Sequence, residues 1–194
     1  HPNSYYVMEK LEGVNPESLK EEWGIDQWKD LMRQYGRYLA MIHDSRSFDT
    51  YGLLGAEEGE LTVLDGAERW SWSFNGIKDS LISIIENKWE NPPDLETPGK
   101  EEVHRSAPDD PGAVPVHSDN RLDNLLVVDG EINGFLDWSH PRTGAGEYDL
   151  ARAEYLLLEW DLEAEGEELE ELRNSLISGY ESVRELDNFR STVT

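Results

Sequence analysis

The apolar positions along the chain switch between helical and strand periods, and the switches mark out its elements. Tyr5-Tyr6-Val7-Met8 is a short aromatic and β-branched run that reads as a strand, with Glu9 to Gly13 leading out of it. Pro16 with Glu17 opens a short helical turn, because proline is tolerated at the first helical position. From Asp26 to about Asp44, Trp28, Leu31, Met32, Tyr35, Leu39 and Ile42 recur at three and four. That spacing predicts an amphipathic helix with Asp26 as its N-cap.

Leu53-Leu54 and Leu61 to Leu64, on either side of Gly55-Ala56-Glu57-Glu58-Gly59, predict a β-hairpin. A second helix is expected from about Ser73 to Trp89, with Ile77, Leu81, Ile84 and Ile85 on one face and Pro92-Pro93 ending it. Residues 94–113, rich in Pro, Gly and charge, read as mostly loop. Three short apolar strands follow: Val114 to His117, Leu125 to Val128 and Ile132 to Leu136, with Asp129-Gly130 as the tight turn between the last two. Two helices close the chain, from about Tyr148 to Asp161 and from Glu165 to Leu186; the acid run Glu163 to Glu171 is a solvated helix face. No internal repeat is visible.

Composition narrows the picture. The 194 residues carry seven Trp and eight Tyr, enough for one sizeable core. With no cysteine in the chain, disulfides, thiolate metal sites and a Cys nucleophile are excluded. No apolar run approaches the ~18 residues of a membrane span, and no leader pattern is present, so a cytoplasmic location is expected. The charge is the unusual feature: 42 Asp plus Glu against 17 Lys plus Arg, a formal net charge of −25. Such a chain repels nucleic-acid phosphates. The acids are spread over the whole length, which favours a surface adapted to molar salt over a dedicated site for a cationic ligand.

The candidate chemistry concentrates in Val116-His117-Ser118-Asp119-Asn120-Arg121-Leu122-Asp123-Asn124-Leu125-Leu126-Val127, followed by Gly134-Phe135-Leu136-Asp137-Trp138. Phosphoryl transfer needs an acidic group to orient and deprotonate a hydroxyl, and oxygen ligands to hold Mg²⁺ against a polyphosphate. Here an Asp lies in a loop between strands, an Asn follows five residues on, and a second Asp ends the hairpin strand thirteen residues after that. A hairpin turns the second Asp back toward the loop. Asn124 and Asp137 can then converge on one cation while Asp119 stays free of that cation.

The segment resembles the catalytic loop and metal-binding segment of the aminoglycoside phosphotransferase and choline kinase-like family, relatives of the protein kinases. In that family the loop reads His-Gly-Asp, four residues, then Asn, and the metal motif is Asp-Trp rather than Asp-Phe-Gly. The resemblance implies that Asp119 is the catalytic base, that Asn124 and Asp137 ligate Mg²⁺, that His117 braces the loop, and that Leu126 floors the nucleotide pocket. Gly144-Ala145-Gly146-Glu147-Tyr148-Asp149-Leu150-Ala151 is similar to the family's Gly-Asp-Pro-Ala-Tyr-Asp-Leu-Ala, whose second Asp anchors the loop. Asp149 inherits that structural role. Tyr6 to Gly13 resembles the last strand of an N-terminal lobe and the hinge that binds adenine. Met8 would then be the gatekeeper, with the Glu9 carbonyl and Leu11 amide facing the base. Tyr35 to His43 is like the family helix that ends in Leu-His.

By this resemblance the fold is α+β, a protein kinase-like C-terminal lobe, mainly helical with short hairpins and a residual hinge strand. Residues 1–13 are the last N-lobe strand and hinge, and residues 14–194 form the C-terminal lobe, with its catalytic loop over 116–138. The implied activity is transfer of the γ-phosphate of ATP or GTP to a hydroxyl of a small molecule, with Mg²⁺. Ser118 departs from the family's Gly, and Ala145 from its Asp. The phosphate-covering loop, the phosphate-binding Lys and its Glu partner have no counterpart here, so the N-terminal lobe is expected to be largely absent and the chain alone inactive. A catalytically degenerate binding module and a metal-dependent hydrolase are the rival readings.

Taken singly, the remaining polar residues have plainer explanations. Asp123 reads as a salt-bridge residue, Arg121 as the partner of a neighbouring acid, and His43 as a structural histidine. Trp70 and Trp72 read as core or subdomain contacts. Were the acceptor cationic, Glu147, Glu154, Glu159 and Asp161 would be the acids to receive it.

Overall fold

The structure is a computed structural model that describes residues 9–88, 101–102, 111–139 and 141–186. It divides into two compact units. One is made of His1–Tyr38, Asp119–Asp137 and Arg152–Glu185, the other of Leu39–Ser118, Trp138–Ala151 and Leu186–Thr194. The fold is mixed α+β and kinase-like, with antiparallel sheets. The expected strand Tyr5 to Met8, and Met8 with it, lies outside the described residues.

In the first unit a single turn of 3-10 helix, Pro16–Leu19, starts where Asn15 Oδ1 accepts the Glu17 N–H at 2.8 Å. The long helix α1 (Ile25–Asp44), which belongs to this unit as far as Tyr38, begins one residue earlier than its apolar pattern suggests. Asp26 is therefore not the cap. It stands in the first turn, where a carboxylate complements the helix dipole, and the Gly24 N–H is met by Gln27 Oε1 at 3.1 Å, half of a capping box. The predicted stripe Trp28, Leu31, Met32 and Tyr35 is buried.

Helix α4 (Gly166–Glu181) packs on this stretch so closely that side chains are excluded at two crossing points. A Cβ at Gly36 would stand 2.0 Å from Leu176 O, and one at Gly179 would stand 2.0 Å from Arg33 O. The hairpin β4 (Leu125–Val128) and β5 (Glu131–Phe135) turns at Asp129-Gly130, both with positive φ, as a two-residue turn of primed type requires. Gln34 holds that turn: its Nε2 donates to Gly130 O and its Oε1 accepts the Ile132 N–H, both at 3.0 Å.

The second unit is built on a four-stranded sheet in the order β2-β1-β6-β3: Glu60–Ala67, Tyr51–Glu57, Arg142–Gly144 and Val114–Val116. The β1–β2 turn is only Glu58-Gly59, so Gly55 to Glu57 belong to the strand rather than to the connection. Strand β6 has no apolar alternation, and sequence patterning does not find it. It pairs Leu53 with Arg142 on one side and Val114 with Gly144 on the other. Thr143 at its centre is buried, accepting the Gly52 N–H at 2.9 Å and donating to Thr50 O at 2.8 Å.

Helix α2 (Trp70–Lys88) starts three residues before its expected first turn, which brings Trp70 onto Tyr51, Phe74 and Tyr148 in an aromatic core. Trp72 is half exposed beneath the Arg69 guanidinium. Residue Trp89, most of the expected loop 94–113, His104 and His140 lie outside the described residues, as do the side chains of Leu81, Ile84 and Ile85. The last expected helix pair is also redrawn. Helix α3 (Gly146–Ala153) passes directly into a π-helical segment, Glu154–Asp161, that ends where the Leu162 N–H donates to Leu157 O.

Candidate functional site

Strand β3 leads into His117 and Ser118, and both backbone N–H groups donate to the carboxylate of Asp149, His117 to Oδ2 and Ser118 to Oδ1, each at 2.8 Å. Asp149 is wholly buried in the first turn of α3, and His43 Nε2 lies 3.2 Å from its Oδ2. Ser118 sits at φ +66, the left-handed region that favours glycine. A glycine would adopt that angle without strain, and here a Ser carries it. The His117 ring meets Trp138 edge-on, with centroids 4.6 Å apart.

Asp119 is the next residue, and its side chain is exposed. Its carbonyl accepts the Arg121 N–H at 3.0 Å, and Asn124 Nδ2 reaches both that carbonyl, at 2.9 Å, and Oδ2, at 2.8 Å. A short 3-10 turn, Leu122–Asn124, then delivers the chain into β4. Across the hairpin Leu125 pairs with Phe135, and the Leu136 N–H donates to Asn124 O at 2.8 Å. Asp137, the following residue, turns out of the strand at φ +56 with its side chain exposed. Asp119 and Asn124 are thus in direct contact, and Asp137 is one residue beyond a backbone bond to Asn124.

Among the described residues no group of three or more His, Cys, Asp or Glu could hold a metal ion. A cation at this hairpin end would depend on the Asp137 carboxylate and the Asn124 amide oxygen, completed by water or phosphate oxygens. Hard oxygen donors in that number suit Mg²⁺, which is commonly bound by one or two carboxylates plus substrate phosphates.

The residues expected around a nucleotide divide. Leu126 is half-buried on β4 opposite Gly134, and a Cβ at Gly134 would stand 2.6 Å from Leu11 Cδ1. Leu11 therefore lies over the hairpin, where the absent side chain makes room for it. Glu9 is exposed, and Met8 is outside the described residues.

Three loop contacts escaped the sequence reading. Asn120, buried to 1% exposure, accepts the Tyr35 hydroxyl at 2.7 Å. Asp161 accepts the Leu122 N–H at 2.7 Å and Arg121 Nη2 at 2.9 Å. Burial pushes the Asp161 carboxyl above the usual range, with the Leu122 amide and the Arg121 charge pulling the other way. Arg121 is an ion-pair residue, as expected, but its short bond is to a distant acid, with Asp123 at 3.5 Å. Periodicity could not find these partners because they are remote in sequence.

The acids considered for a cationic acceptor also need correction. Asp161 is committed to the loop, and Glu154 is buried on Arg173 Nε at 2.5 Å. Neither is presented to solvent.

Fold and loop together define a kinase-like class, with helices and short antiparallel sheets supporting a loop that carries Asp119, Asn124 and Asp137. The chain belongs to the Phosphotransferase enzyme family, whose model matches residues 1–186. A homoserine kinase from Neisseria meningitidis serogroup B (strain MC58) is 37% identical over 71 residues. That match spans 37% of this chain and 22% of the relative. Among solved structures, the chain is similar to a protein described as a fructosamine-3-kinase from Thermobifida fusca YX-ER1. The TM-score is 0.50 and the identity 14%, with 95% of this chain and 72% of that chain covered. Among the described residues no helix is long and apolar enough to cross a membrane.

Proposed function

We propose that this chain carries the catalytic loop of a small-molecule kinase that moves the γ-phosphate of ATP or GTP to a substrate hydroxyl. Asp119 is the base, and Asn124 with Asp137 holds Mg²⁺. The observation that carries the reading is the paired arrangement at the hairpin end: Asn124 bonded through its side chain to Asp119 and through its backbone to Leu136, next to Asp137. A base and a cation-binding pair at adjacent points of one loop suit a reaction in which the protein's work is positioning and electrostatic stabilisation. When bound, Mg²⁺ would supply charge neutralisation for the polyphosphate. The residues' own part is to aim the hydroxyl and take its proton at the Asp119 carboxylate.

In the same reading residues 1–13 are the last strand and hinge of an N-terminal lobe, and residues 14–194 the C-terminal lobe. Leu126 floors the adenine site, with the Glu9 carbonyl and the Leu11 amide facing the base and Met8 as gatekeeper. His117 and Asp149 support the loop. The acceptor is a small hydroxyl compound. Homoserine is the first to test, given the relative that is 37% identical over its matched segment, and a ketoamine sugar the second. The acidic surface is salt-adaptive, and the protein works in the cytoplasm.

The test is nucleotide consumption by the full-length protein in molar KCl with Mg²⁺, across a panel of small hydroxyl acceptors. Acceptor-dependent turnover should fall at least about 10²-fold in Asp119→Asn with nucleotide binding retained. Turnover unchanged by that substitution would dismiss the base assignment, and steady phosphate release without acceptor would favour a hydrolase.

A further inference from the structure

We propose that Asp161 is a positioning residue of the catalytic loop. Its buried carboxylate, with the Tyr35 hydroxyl, fixes the three residues after Asp119 and so sets the direction of the Asp119 side chain. The inference deepens the kinase reading and rests on it for the role of Asp119.

The geometry is continuous. Tyr35 Oη donates to Asn120 Oδ1 at 2.7 Å, and Asp161 takes Arg121 Nη2 at 2.9 Å and the Leu122 N–H at 2.7 Å. Residues 120, 121 and 122 are each held, and the Arg121 N–H returns to Asp119 O at 3.0 Å. Asn120 and Asp161 are 1% and 5% exposed, so their bonds compete with little solvent, whereas Asp119 is exposed and its carboxylate meets Asn124 Nδ2 at 2.8 Å.

Two further facts bear on Asp161. It is the last residue of the π-helical segment Glu154–Asp161, whose wider winding redirects successive side chains relative to a regular α-helix. Both end acids of that segment, Glu154 and Asp161, are buried on an arginine. Burial also opposes ionisation of the Asp161 carboxyl, so the carboxylate is a poor choice for stability alone. An apolar residue would avoid that cost but could not accept the Leu122 N–H.

The experiment uses the full-length protein with Mg·ATP and homoserine. It compares Asp161→Asn, Tyr35→Phe, Asp119→Asn and the Asp119→Asn/Asp161→Asn pair, with far-UV circular dichroism as the folding control. Asp161→Asn should lower kcat about 10²-fold and Tyr35→Phe about tenfold, each with the KM for ATP changed less than about threefold. In the double variant Asp161→Asn should add no loss to that of Asp119→Asn, because both act through one carboxylate. Full kcat in folded Asp161→Asn would overturn the proposal, as would losses that multiply in the double variant. If Asp161→Asn does not fold, Arg121→Gln, which removes the guanidinium bonded to Asp161 Oδ1, takes its place with the same expected fall in kcat, and full kcat there would overturn the proposal. Full turnover in Asp119→Asn would instead sink the kinase reading itself.

Discussion

Asp149→Asn offers a sharp test of how the loop is anchored, because it changes hydrogen bonding without changing shape. The carboxylate accepts the His117 N–H on Oδ2 and the Ser118 N–H on Oδ1, each at 2.8 Å. An asparagine has one oxygen for the two donors. With that oxygen in the Oδ2 place, the amino group presses on the Ser118 N–H; flipped, it presses on the His117 N–H. One orphaned donor costs about 1–3 kcal/mol, and the surviving bond loses its charge assistance. Loss of an acid from the first turn of α3 adds about 0.3–1 kcal/mol. The expected destabilisation is therefore about 2–4 kcal/mol, a fall of roughly 1–2 M in the urea midpoint for an ordinary denaturant slope. Equilibrium urea unfolding followed by tryptophan fluorescence reads it directly. An unfolding free energy within about 0.5 kcal/mol of the wild type would refute the reasoning, since no asparagine orientation satisfies both amides.

Other outcomes follow from the packing and the charge. Gly36→Ala, ordinarily stabilising in a helix, should cost at least about 3 kcal/mol here, because its Cβ meets Leu176 O at 2.0 Å and Tyr180 N at 2.8 Å; an unchanged melting temperature would contradict the close approach. The raised Asp161 carboxyl means the native state holds that proton more tightly than the unfolded chain. Wild-type stability should therefore fall relative to Asp161→Asn as pH rises from the ordinary carboxylate range through the raised value. Urea midpoints of the two proteins measured between acid and neutral pH should show that sign, and the opposite trend would remove burial as the dominant cause. With a net charge of −25, the melting temperature should rise between 0.1 M and 2 M KCl as the screening length shortens from about 10 Å to under about 3 Å; indifference to KCl would dismiss salt adaptation.

Local pattern carried much of the architecture. The three-and-four spacing from Trp28 to Tyr35 places a buried stripe on α1, and Asp129-Gly130 makes a turn whose positive φ angles those residue types tolerate. The spacing from Asp119 through Asn124 to Asp137 is also a sequence property. Once the hairpin closes, it brings the last residue beside the second. What local pattern could not supply were partners set by three-dimensional proximity. Strand β6 is three residues without alternation and exists because β1 and β3 flank it. The closeness of α1 and α4 rests on two glycines whose meaning appears only when the helices cross.

Tertiary structure likewise decided the fate of the acids. In so acidic a chain no single Asp or Glu stands out by composition. Burial separates Asp149 and Asp161, which collect backbone N–H groups on either side of Asp119 in the chain, from the exposed Asp119 and Asp137. A carboxylate taken out of water must find donors, whereas one left in water can meet a ligand. The order of residues determined which groups a site could contain. Only the fold decided which of them hold the loop and which face outward from it.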